Sequence, residues 1–133
     1  MKTSTQQWLD FAKADLLNCE RILDDDFLTA IVAFHSQQAV EKCFKALIEE
    51  KNLTIPRIHS LVRLYSVIES FLDQPFEPRE LLAFDSVYIN SRYPSDIGMI
   101  PTGKPTHQDA KEFYESAKKI YDAISILIDF QQA

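Results

Sequence analysis

Apolar positions recur along this chain with a helical period, and no stretch alternates as a strand would. The clearest element is Leu28 to Glu50, LTAIVAFHSQQAVEKCFKALIEE, which has no proline, no glycine and few β-branched residues. On a helical period Leu28, Ile31, Val32, Ala39, Cys43 and Ala46 form one apolar stripe. Ala33, Val40, Phe44 and Leu47 widen it, leaving Gln37, Gln38, Glu41, Lys45 and Glu49 as a narrow polar arc. So broad an apolar face needs neighbours on more than one side, which puts this helix at the centre of a bundle. His35 and Lys42 fall inside the stripe and require partners, because desolvating them alone is costly.

The segment before it predicts a helix opened by a Ser4–Gln7 capping box, with Trp8, Phe11, Ala12, Leu16, Cys19, Ile22 and Leu23 as its stripe. It ends near Asp24-Asp25-Asp26, so the link is short and the two helices form an antiparallel hairpin. Residues at one level then have numbers summing to about fifty-one, given the common rise per residue. Asp15, which interrupts the first stripe, therefore faces His35 to Gln38. A third helix is predicted from His59-Ser60 through Phe71-Leu72. A fourth starts at Pro78 and runs to about Arg92, ending before Pro94. Its face carries Leu81, Phe84, Asp85, Tyr88 and Arg92. Pro94 to Thr106 contains three prolines and both glycines and is the longest stretch without helical pattern. Thr106 then caps a last helix with Asp109 in its first turn and a wide apolar face from Ala110 to Ile128. The fold class is all-α, an up-and-down bundle of four or five helices, with residues 1–133 as a single domain.

Charge and composition narrow the chemistry. The chain has 133 residues and a net charge of −6, which argues against broad electrostatic attraction to nucleic acid or an anionic membrane. A local basic pocket remains compatible with it. The two cysteines have neither disulfide-framework nor metal spacing, so both are expected as buried thiols in a reducing compartment. No signal-like or membrane-spanning run is present, which points to the cytoplasm. His35, His59 and His107 are isolated, so neither a metal site nor a cofactor is expected. The GK pair at Gly103-Lys104 lacks the glycine spacing and the strand of a phosphate-binding loop.

The polar residues set in apolar stripes are Asp15, His35, Lys42, Asp85, Tyr88 and Arg92. Trp8 with Ala14-Asp15-Leu16, Gln37-Gln38-Ala39-Val40-Glu41-Lys42 leading to Lys45-Ala46-Leu47, His59-Ser60-Leu61 with Leu64, and Tyr88 with Arg92-Tyr93-Pro94 together resemble the HEPN domain family, in family order over nearly the whole chain. That resemblance implies a small, often dimeric all-α bundle. It also implies a link to nucleotides or RNA, and frequently a nucleotidyltransferase partner in a toxin–antitoxin pair. Ribonuclease members carry an arginine followed after four to six residues by a histidine. Arg92 matches the arginine by context, but the next histidine is His107, so the spacing is not met, which argues against an enzyme.

Each residue has a plainer alternative. Asp15 is expected to pair with His35, Gln38 or Arg92 rather than act as an acid. Lys42 either binds phosphate or snorkels. Arg92 suits bidentate phosphate recognition or an ion pair with Asp85 or Asp15. Tyr93 stacks on a base or plugs the bundle end, and His59 caps the third helix or pairs locally. Wide apolar faces predict a homodimer. Three functions follow: a nucleotide- or RNA-related accessory module beside a nucleotidyltransferase-type protein, a metal-independent ribonuclease using Arg92 and His107, or a non-catalytic scaffold. Phosphate would meet Arg92 and Lys42, with Asp15, His35, Tyr88 and Tyr93 around it.

Overall fold

A computed structural model describes residues 1–90 and 93–132. Among them lie five α-helices, α1 (Thr3–Ile22), α2 (Thr29–Glu50), α3 (Leu61–Ile68), α4 (Pro78–Asp85) and α5 (His107–Gln132), with single 3-10 turns at Asp26–Leu28, Glu69–Phe71 and Pro94–Asp96. No strand occurs among the described residues, and Ile100 and Gly103 form an isolated bridge.

The second helix is central. From Ala39 to Ile48 every residue but Lys42 is buried. Around it pack Leu9, Ala12 and Leu16 of α1, Leu61, Leu64 and Ile68 of α3, Leu81 and Phe84 of α4, and Ile120, Ile124 and Ile128 of α5. Each large side chain withdrawn from water contributes roughly 1.5–3 kcal/mol before entropy is counted. The α1–α2 hairpin has the register that its short link imposes. Lys2 N donates to Glu50 at 3.2 Å, His35 meets Asp15 at 2.9 Å, and Cys19 Sγ lies 3.5 Å from the Val32 carbonyl.

Helix ends use side chains committed elsewhere. Ser60 caps α3, accepting from Arg63 N at 3.3 Å. Asp85, at the end of α4, accepts the Leu61 and Val62 amides at 2.6 and 3.2 Å. It thereby supplies negative charge to the amino terminus of α3. Thr106 and Asp109 form a reciprocal capping box at α5, at 3.0 and 2.9 Å.

Several expectations need correction. The Ser4–Gln7 capping box does not form: the helix begins at Thr3, and Ser4 Oγ donates instead to Glu49 of α2 at 2.8 Å. Helix α4 stops at Asp85 rather than near Arg92, because Ser86 Oγ bonds the Ala83 carbonyl and Tyr88 pairs its backbone with Met99 and Gly98 at 2.9 and 2.7 Å. Tyr88 therefore does not share a helical face with Asp85, while Ser91 and Arg92 lie outside the described residues. Phe11 and Ile31, assigned to apolar stripes, are exposed, whereas Gln37, Glu41 and Lys45 of the expected polar arc are buried.

Candidate functional site

The polar side chains of α2 form a continuous band. At 100° per residue His35, Lys42, Gln38, Lys45, Glu41 and Gln37 occupy adjoining positions around the helix. At one edge Asp15 of α1, with only 9% of its side chain exposed, accepts from Lys42 Nζ at 2.7 Å and faces His35 Nδ1 at 2.9 Å. One carboxylate thus serves two half-buried nitrogen groups, which satisfies the pairing that burial demands. Lys42 also lies over the Phe11 ring, 5.6 Å from its centroid, and Phe34 meets His35 edge-on at 5.2 Å. An ammonium has three donors and Asp15 takes one, so Lys42 keeps donors to spare. The cluster therefore retains capacity for an acceptor such as a phosphate oxygen.

At the other edge Glu41 is the hub. Lys45 Nζ lies 3.0 Å away, His59 Nδ1 is 3.1 and 3.2 Å from its two oxygens, and Gln37 Nε2 donates at 3.3 Å. Gln38 donates to Gln37 at 2.7 Å and extends this half. A cavity of about 460 Å³ opens beside His59, lined by Gln37, Ser60, Phe84, Asp85 and Asn90 among others. Sequence reasoning missed this half. Its available signal was the four-residue spacing of Gln37, Glu41 and Lys45, which aligns their side chains on one line of the helix.

The other expected residues sit apart. His107 opens α5, and its Nδ1 is 3.4 Å from Asp26 in the α1–α2 link. Tyr88 and Tyr93 are exposed. Asp85 is committed to the start of α3, and Asp15 to His35 and Lys42. Arg92 lies outside the described residues. Phe27, Ile31 and Phe34, on α2 and its lead-in, form an exposed to half-buried apolar patch that leads towards Gln38 and Lys42 of the band. Gly98 closes one flank of it. Its φ is +83°, and a Cβ there would fall 1.9 Å from the Ala30 carbonyl oxygen, so only glycine lets the loop lie so close to α2. Among the described residues no group of three or more His, Cys, Asp and Glu side chains gathers as a metal site, and no helix is long and apolar enough to cross a membrane.

Against known proteins, the HEPN domain family model matches residues 5–127. The crystal structure of an archaeal HEPN homologue superposes with a TM-score of 0.63 at 22% identity, covering 96% of this chain and 99% of that one. No curated protein matches in sequence. With the family model spanning nearly the full length, the chain belongs to the HEPN domain family, and its helical bundle is the fold shared with the archaeal homologue.

Proposed function

We propose that this HEPN domain is a nucleotide- or RNA-related accessory module, acting as a homodimer beside a nucleotidyltransferase-type partner in a toxin–antitoxin-like pair. The observation supporting it is the combination on one side of α2: an apolar stripe that leaves Phe27 and Ile31 exposed, next to Lys42 and His35 oriented by Asp15. Exposed apolar side chains in a contiguous stripe favour a protein neighbour. The Lys42 ammonium oriented beside it favours a phosphate oxygen. Arg92, matched to the family arginine by context, would add bidentate phosphate recognition, and Tyr88 and Tyr93 would flank a base.

Calorimetry with ATP and with a short single-stranded RNA tests this. Lys42→Ala and Arg92→Ala should each weaken binding about tenfold, as loss of one charge-assisted contact does. Absence of heat with either ligand, together with unchanged partner binding in Arg92→Ala, would reduce the protein to a scaffold. The ribonuclease reading uses Arg92 and His107, whose Nδ1 lies 3.4 Å from the Asp26 carboxylate. It requires RNA cleavage that persists in chelator and disappears in His107→Ala.

A further inference from the structure

The pairing of Glu41 with His59 has no part in phosphate binding at Lys42. The Glu41 side chain is only 7% exposed, while that of His59 is 58% exposed beside the cavity of about 460 Å³. Lys45 and Gln37 both donate to Glu41, so its oxygens act as acceptors. The proton of the contact with His59, at 3.1 and 3.2 Å, therefore sits on Nδ1. Nε2 keeps its lone pair, on a ring whose orientation a buried carboxylate fixes. A reachable base held by an orienting partner at the edge of a cavity is the geometry of general-base catalysis. His107 lacks that support, because the Asp26 carboxylate that it faces at 3.4 Å is 87% exposed.

The cavity offers this base no nucleophile of the protein's own. No cysteine lines it, and the Ser60 hydroxyl donates to Asp85 at 2.8 Å while accepting from Arg63 N at 3.3 Å. A substrate that carries its own attacking group suits such a site, and a ribose 2′-hydroxyl beside its phosphodiester is one. The Asp85 charge on the cavity wall is partly offset by the Leu61 and Val62 amides that it accepts. Ile89 and Asn90 add an apolar edge and a carboxamide able to pair with a nucleobase. Arg92 follows Asn90 by two positions in the chain.

We infer, resting on the ribonuclease reading above, that His59 oriented by Glu41 is the general base of an RNA-cleaving site in this cavity, in place of His107. Nε2 takes the 2′-hydroxyl proton, the 2′ oxygen forms a bond to phosphorus, and the bond from phosphorus to the 5′ oxygen breaks. The departing oxygen takes a proton from water, which the imidazolium replenishes. The products are a 2′,3′-cyclic phosphate and a 5′-hydroxyl.

The test is cleavage of mixed-sequence single-stranded RNA by the full chain in chelator, with 2′-O-methyl RNA as control. The wild type should produce 2′,3′-cyclic phosphate ends and leave the control intact. His59→Ala should be slower by about a hundredfold or more, the usual contribution of a general base, and added imidazole should restore part of the rate. Glu41→Gln should lower kcat with KM unchanged, because Glu41 acts through the ring it orients. His107→Ala should cleave as the wild type does. Undiminished cleavage in His59→Ala, a loss there that imidazole does not rescue, or a wild-type kcat in Glu41→Gln overturns the assignment. Cleavage abolished by His107→Ala and kept in His59→Ala leaves the ribonuclease reading standing without this base, whereas an inactive wild type removes both.

Discussion

Asp15 is the side chain on which the polar contact at the middle of the α1–α2 hairpin depends. Lys42 and His35 both direct a nitrogen at it. Lys42 is thus anchored rather than snorkelling, with its ammonium held at 2.7 Å from the carboxylate. Asp15→Ala leaves both groups half-buried without their acceptor, so a loss of about 1–3 kcal/mol is expected in urea denaturation, with Asp15→Asn costing less. Because 22% of the Lys42 side chain and 26% of His35 remain exposed, water recovers part of the lost solvation and keeps the cost below that of a sealed ion pair.

At the scale of elements, α1, α2, α3 and α5 were legible because each carries a long apolar period and a cap or break at its ends. Helix α4 was legible at its start, where Pro78 occupies the first position, but not at its end. Val87, Tyr88 and Ile89 continue the apolar period, with no glycine or proline before Pro94, yet the backbone leaves the helix to pair with Met99 and Gly98. A tertiary contact overrode local propensity there. The same contact makes Gly98 a sharp test. Gly98→Ala places a methyl against the Ala30 carbonyl in a left-handed backbone, and the variant is expected to lose about 2–4 kcal/mol, the range of combined overpacking and backbone strain. A melting temperature equal to the wild type's would show that the loop can leave α2 without penalty.

For the molecule as a whole, alkaline pH probes how tightly the core is sealed. Burial pushes the Cys19 thiol from an ordinary 9.0 up to about 11, against the lowering effect of its hydrogen bond from Ser36, and burial raises Cys43 as well. The unfolded chain therefore ionises first. The thiol contribution is fully present below pH 9 and is lost as pH climbs through the folded value, by on the order of 2 kcal/mol for Cys19. Stability measured from pH 8 to 11 should fall less steeply in Cys19→Ala; an equal slope would mean that other groups govern the decline. Half of the candidate site could likewise be read in advance. The hairpin register predicts Asp15 opposite His35, but Glu41 and Lys45 look solvent-facing until α1 and the His59 segment are folded over them.

The family's most recognisable stretch, Gln37 to Leu47, is also the most enclosed part of the bundle. Substitutions scattered through it will depress yield and solubility whatever they do to a ligand. Mutants meant to separate binding from folding belong at its half-exposed positions, Gln38 before Lys42, because Lys42 also pairs with the nearly buried Asp15.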